Sequence, residues 1–356
     1  VTAVTSDLAV PRDRRAGAWR LTGWLALALL AVGLASLTWG ASDASPWVAL
    51  AKLWQGEALT AVEKVVLLNI RLPRLAMSAL VGAGLAMSGA ILQGLFRNPL
   101  ADPGIVGVTS GGTLGAIGAI VLGGLLPLAL RETVGTSLVS VAAFVGAWFT
   151  TILLYRVATR DGQTSVPTML LAGIALAALA MAMAGILVYM ADDAQLRDLT
   201  FWSMGSMAGA TWAKVATSLP ILALALLASP LISHGLNGIA LGEAAAMHMG
   251  VEVQKTKTLA VLWVAGATGV AVAVAGAIGF VGIVVPHLLR LASGPDHTPL
   301  LPNAALLGAI LMISADMIAR TIVAPAELPI GIVTAVLGAP VFLWILLRRR
   351  GLVGME

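Results

Sequence analysis

Long apolar runs separated by short polar or proline-bearing turns dominate the chain. Ten of them reach or approach the roughly twenty mostly apolar residues that a membrane-spanning helix needs. They lie at 21–40, 73–95, 104–126, 135–155, 167–190, 212–230, 258–275, 277–292, 303–323 and 330–347. The seventh and eighth are continuous in the stretch VAVAVAGAIGFVGIVVPHLLR and are divided at Gly276 on length and glycine content. Gly107, Gly111 and Gly115 recur every fourth residue, which predicts a closely packed face on the third helix; Gly276, Gly279 and Gly282 predict one on the eighth.

Composition turns ten apolar runs into a membrane protein. The 356 residues are 59% apolar and 11% charged, with a mean hydropathy of +0.97, far from a soluble domain. The net charge of +4 is scattered between the apolar runs and forms no basic stripe, so it does not point to nucleic acid. It reports topology instead. With ten spans both termini share a side, and placing them in the cytoplasm puts 13 of the 21 basic residues there, including Arg12, Arg14, Arg15, Arg348, Arg349 and Arg350; this obeys the positive-inside rule. The all-α polytopic reading therefore has a cytoplasmic segment at 1–20, one membrane domain at 21–350 and a cytoplasmic tail at 351–356. The run from Leu21 to Trp39 is longer than a signal-peptide core, so it is read as a retained first helix.

Several chemistries have no residues to carry them. The chain has no cysteine, which excludes disulfides and thiolate sites. Lys255-Thr256 and Lys257-Thr258 lack the glycine loop that wraps phosphates, and neither H-E-x-x-H nor G-x-S-x-G occurs. Nucleotide hydrolysis and protease or esterase chemistry thus belong elsewhere, and no metal site is expected. His234, His248, His287 and His297 read as loop or helix-end residues on the cytoplasmic side. Helix centres almost free of Asp, Glu, Lys and Arg disfavour an ion-coupled secondary transporter.

Two short stretches break the apolar monotony. RLPR, Arg71 to Arg74, opens the second helix with two cations on the outer side. They are read either as snorkelling to lipid phosphates or as a docking point for an acidic partner. At the other end FRNPLADPG sets two prolines beside Asn98 and Asp102, which enforces a non-helical turn. Asp102 and Pro103 read there as the N-cap and first turn of the third helix. Between the sixth and seventh helices, LNGIALGEAAAMHMGVEVQKTK reads as two short helices. Ala240, Leu241, Ala244, Ala245 and Met249 form a small apolar face there, with turns at Gly242 and Gly250.

These stretches, together with GAILQGLFRNPLADPGIVGVTSGG, ALGEAAAMHMG, GFVGIVVPHLLR and ELPIGIVTAVLGAPVFLWIL, resemble the FecCD family over roughly residues 60 to 350 and in the expected order. It comprises the membrane subunits of ATP-driven importers for iron–siderophores, cobalamin and haem. GVTSGG, where many members have a single glycine before alanine, and the long N-terminal extension are the departures. The resemblance implies a type II ABC importer fold of ten helices in the bacterial inner membrane. It also implies a homodimer, two cytoplasmic ATPase subunits that carry the ATP and magnesium, and a periplasmic binding protein. No cofactor is expected on this chain, and it is not expected to be an enzyme.

Residue by residue, the resemblance assigns docking of the binding protein to Arg71, Arg74 and Arg320. Arg320 follows Asp316 by four residues, so an internal pair is the alternative. ATPase coupling falls on Leu241, Gly242, Glu243 and Gly250, within a coupling segment at about 234–257. The cytoplasmic gate falls on Asn98, Leu100 and Thr168, which match positions narrowing the path in the cobalamin member. The stretch YMADDAQLRDLTFWSMGSMAGATW looks most like the haem subgroup. Met190, Phe201, Trp202, Met204 and Met207 would give a flat, polarizable surface for a porphyrin, or plain core packing. Haem is the expected cargo, with ferric siderophore or cobalamin as the alternative.

Overall fold

The computed structural model describes residues 14–40, 45–104 and 107–353. Arg12 and the side chains of Arg14 and Arg348 to Arg350, five of the terminal cations behind the positive-inside orientation, lie outside the described residues, as do 1–13 and 354–356 of the terminal segments. The described chain is a helical bundle. Its first half comprises α1 (Arg14–Thr38), α2 (Pro46–Trp54), α3 (Ala61–Lys64), α4 (Leu72–Leu95), α5 (Val108–Leu122), α6 (Leu128–Val134), α7 (Leu138–Ala158) and α8 (Val166–Met190). The second half comprises α9 (Asp193–Ser203), α10 (Trp212–Leu227), α11 (Ser229–Ala240), α12 (Glu243–His248), α13 (Val253–Ala275), α14 (Val281–Ser293), α15 (His297–Ala319) and α16 (Ile330–Val353). A two-stranded hairpin, β1 (Thr159–Arg160) and β2 (Gln163–Thr164), joins α7 to α8.

Every predicted span falls on a helix, but the spans are not alike. Among the described residues seven are long and apolar enough to cross a membrane, and α10 with α11 adds an eighth as a pair bent by 48°. Pro230 at the start of α11 disfavours continuous helix through the preceding residue, which accounts for the bend. α14 has 13 residues, about 20 Å at 1.5 Å per residue. The stretch from Gly276 to Phe280 that precedes it is not helical, with left-handed backbone at both ends (Gly276 φ 75, Phe280 φ 68). The division at Gly276 is therefore real. The glycine face expected on the eighth helix is not: Gly276 and Gly279 lie in this link, and only Gly282 is helical.

α4 is the axis of the bundle. It continues upstream through a π-helical turn, Val65–Arg71, to α3, so the predicted start at residue 73 is a dozen residues late. α15, α13, α14 and α10 pack around it. Two contacts show why small residues are needed: a Cβ on Gly82 would strike the Gly308 backbone of α15, and one on Gly89 would strike the Gly282 backbone of α14. Without a hydrophobic force between helices in lipid, such close backbone approach supplies the packing. Gly111 and Gly115 do the same for α5 against Gly146 and Ala142 of α7, while Gly107 caps α5 from outside the helix with φ 79. The first helix is bonded into the bundle, with Thr22 Oγ1 donating to Asn303 Oδ1 of α15 at 2.7 Å.

Candidate functional site

The near end of the bundle, where α1 begins and α16 finishes, and the far end, where α4 begins, carry different chemistry. At the far end the RLPR turn, the C-terminus of α15 and the loop before α16 converge. Arg74 grips Asp316 through Nη2 at 2.8 Å and Nε at 2.9 and 3.0 Å, and its Nη1 lies 2.8 Å from Glu327 Oε1. Arg320 donates through Nη2 to the Ser36 carbonyl at 2.5 Å and to Ser36 Oγ at 2.9 Å. Its Nε stands 3.8 Å from Asp316. Arg71 donates to the Leu37 carbonyl at 2.5 Å, and Gly40 leaves room for its guanidinium.

All three predicted arginines thus come together, but facing inward. They are 4, 6 and 8% exposed in chain order, and Asp316 is 2% exposed. The internal Asp316–Arg320 pair exists, yet it is the longer leg, because Arg74 has taken the carboxylate. Glu327 is the open edge of the cluster, with 38% of its side chain exposed. Sequence reading gave no role to Glu327 or Ser36. Glu327 stands within a quoted motif, ELPIGIV, and was legible there as an acid; Ser36 carried no signal.

At the near end the coupling segment folds as expected in outline. Its two short helices are α11 and α12, the first beginning at Ser229, inside the predicted sixth span. Gly242 (φ 111) and Gly250 (φ 80) turn the chain in conformations that other residues resist. Ile239, Ala246 and Val253 form a small buried cluster backed by Val251. The opposite face, Ala240, Leu241, Ala244, Ala245 and Met249, is exposed throughout, Leu241 at 71%. Glu243 turns back to Lys257 at 2.8 Å.

The turn after α4 is rigid for local reasons. Asn98 Oδ1 accepts from the Leu100 amide at 3.0 Å, and Asp102 Oδ1 accepts from the Gly104 amide at 2.8 Å. Asp102 is therefore not the N-cap of α5, which starts at Val108 behind Gly107. Burial raises the Asp102 carboxyl above its usual range, with the Gly104 amide opposing. Asn98 and Leu100 are half-buried; Thr168 is exposed in the first turn of α8, where Ser165 Oγ accepts from its amide at 3.3 Å and its hydroxyl at 2.9 Å.

The apolar surface expected for the cargo is only partly present. Met190 and Phe201 are exposed at 61 and 57%. Trp202 and Met204 are half-buried, Trp202 against Ala116, Ala143 and Ala273. Met207 is a core residue at 2% exposure: the loop that holds it is pinned by the Ser206 amide to the Ala275 carbonyl at 2.8 Å. Of the histidines, His248 ends α12 as expected, whereas His234 is an exposed residue inside α11, which corrects its assignment to a loop or helix end. His297 starts α15 but is buried, its Nδ1 2.8 Å from Asn237 Oδ1, and His287 is a buried residue inside α14, which corrects its assignment to a loop or helix end.

The FecCD transport family matches residues 28–348 of the chain. The hemin transport system permease protein HmuU of Yersinia pestis is 42% identical over 330 residues, 93% of this chain and 96% of that protein. The vitamin B12 import system permease protein BtuC of Klebsiella pneumoniae is 42% identical over 348 residues, 97% of this chain and 98% of that protein. A solved inward-facing conformation of an ABC transporter of the metal-chelate type superposes with a TM-score of 0.80 at 32% identity, covering 92% of this chain and 99% of that one.

Proposed function

Because the chain belongs to the FecCD transport family, we propose that it is the permease subunit of an ATP-driven importer that passes haem from a periplasmic binding protein to the cytoplasm. The observation that carries this reading is the preformed apolar face of the coupling segment. Ile239, Ala246 and Val253 hold the segment from behind, while Leu241 and Met249 stand in the open. An exposed apolar patch fixed on a rigid base is the mark of a partner surface. A chain without a phosphate-binding loop needs a companion that hydrolyses ATP, and this face supports one cytoplasmic ATPase per permease of a homodimer. The arginine count at the termini supports an inner-membrane orientation with both ends in the cytoplasm.

In this reading the loaded binding protein docks at the far end on the Arg71, Arg74 and Arg320 cluster, approaching Arg74 along the open Glu327 edge. ATP-driven movement of the coupling segment then exchanges one open gate for another, with Asn98, Leu100 and Thr168 at the near end. Such alternation needs two arrangements of packed helices, between which the partners shift the balance. Exposed Met190 and Phe201 offer a porphyrin polarizable contacts without a ligating histidine, and weak binding favours passage. The vitamin B12 relative is as similar as the hemin relative, so a corrinoid, also a broad tetrapyrrole-like macrocycle, is the second reading.

The test is uptake by vesicles carrying this chain, with and without the ATPase and binding protein. Haem accumulation that requires ATP and both partners supports the reading; accumulation driven by an ion gradient alone overturns it. The absorption spectrum of the purified binding protein decides the cargo, a Soret band for haem against corrin absorption for cobalamin.

A further inference from the structure

Lys257, near the start of α13, is 4% exposed, an expensive place for a charge unless it is held on every side. It is bonded to both α12 and the hairpin. Nζ lies 2.8 Å from Glu243 Oε2 on α12 and donates to the Thr164 carbonyl on the hairpin at 2.8 Å. One helical turn earlier, Gln254 completes the grip on the same residue. Its Oε1 accepts from the Thr164 amide at 3.0 Å, and its Nε2 donates to Thr164 Oγ1 at 2.5 Å. All three polar groups of Thr164 are therefore held by α13.

Thr164 directly precedes Ser165, the N-cap of α8, and Ser165 Oγ in turn holds Thr168. α8 packs on α5 and α7, yet only 11% of its apolar stretch is buried, against 72% for α13, so it is the more loosely held of the two. Glu243 is half-exposed, with 42% of its side chain open, so a partner pressing on α12 moves a carboxylate on which a buried cation depends. Separating the two would leave that cation with a single carbonyl. The less costly course is for Lys257 and the hairpin to follow.

We propose that Lys257 is the positioning residue that makes the start of α8, with Thr168, move with the coupling segment. The proposal rests on the reading of α12 as the partner-driven element, and it predicts that neutralising Lys257 disconnects the power source from the gate without removing either. Lys257→Met and Lys257→Arg are compared in vesicles with the ATPase and binding protein. In Lys257→Met, ATP hydrolysis persists while cargo moved per ATP falls about tenfold, a loss typical of a broken coupling free energy; Lys257→Arg restores the ratio.

A second measurement does not depend on transport. The chain has no cysteine, so spin labels at Gln163→Cys and His248→Cys, both on exposed positions, report the distance from hairpin to α12. On adding ATP to the complex this distance stays constant with Lys257 present and shifts in Lys257→Met. An unchanged ratio in Lys257→Met, an arginine variant as defective as the methionine one, or a distance that shifts equally with Lys257 in place overturns the proposal. A complex that keeps the constant distance but imports nothing with ATP refutes the importer reading and leaves the brace standing.

Discussion

The two ends of this bundle solve opposite problems. At the far end, three arginines and two acids are folded inward until nearly every charge has a protein partner, and only Glu327 keeps an open edge. At the near end, the coupling segment buries Ile239, Ala246 and Val253 but turns a second apolar face outward, with Leu241 and Met249 in the open. The first arrangement ties α1, α4, α15 and the loop before α16 into one unit. The second leaves apolar area for another molecule to cover. Charge near a membrane surface thus does not by itself mark an open site, and at the far end only the Glu327 edge is open to a partner, whereas at the near end the apolar area itself is open.

Substitutions at the two ends should separate stability from partnership, and they can be ranked by the loss expected in thermal unfolding. Arg74→Ala is the most severe, because it leaves buried Asp316 with only the longer Arg320 contact; removing one partner of a buried pair costs about 3–5 kcal/mol. An Arg74→Ala protein that unfolds like the parent would reduce the cluster to a surface feature. Arg320→Met comes next, at about 2 kcal/mol for charged hydrogen bonds lost to Ser36, and proteolysis should then release α1 more readily.

Glu327→Gln should cost below about 1 kcal/mol, as expected for a half-exposed pair. It should also tighten association with the binding protein, measured by surface capture, because Arg74 is left short of one carboxylate. The smallest change in stability belongs to the near end. Leu241→Ser with Met249→Ser should lie within about 0.5 kcal/mol of the parent and yet abolish co-purification with the ATPase. Retained co-purification would remove the apolar face from the argument for coupling.

The sequence made the ten apolar segments, the rigid turn after α4 and the two-part coupling segment legible. Run length, proline, glycine and Asx turns act over a few residues, and so they can be read locally. The glycine pattern was legible only in part. Gly111 and Gly115 do face a neighbouring helix, but Gly276 and Gly279 serve a break, and spacing alone does not distinguish a helix face from a link. The arginine cluster was legible as a grouping and not as a burial, since Ser36 and Glu327 meet Arg320 and Arg74 only when α1 and the loop before α16 fold against the RLPR turn. For Met207 the sequence left cargo surface and core packing open, and a loop pinned to the end of α13 decides for the core.

What the sequence determined by itself is that this chain crosses a membrane, that its chain breaks at Gly276 and after α4, and which family it resembles. Only the tertiary structure decided which spans are interior. α4 and α8 have mean hydropathies of 1.9 and 2.4 in their apolar stretches, yet 78% of the first is buried and 11% of the second. Lipid is as apolar as a protein core, so hydropathy ranks neither above the other. The distinction comes from close contacts such as Gly82 with Gly308 and Gly89 with Gly282, which exist only once segments distant in sequence have met.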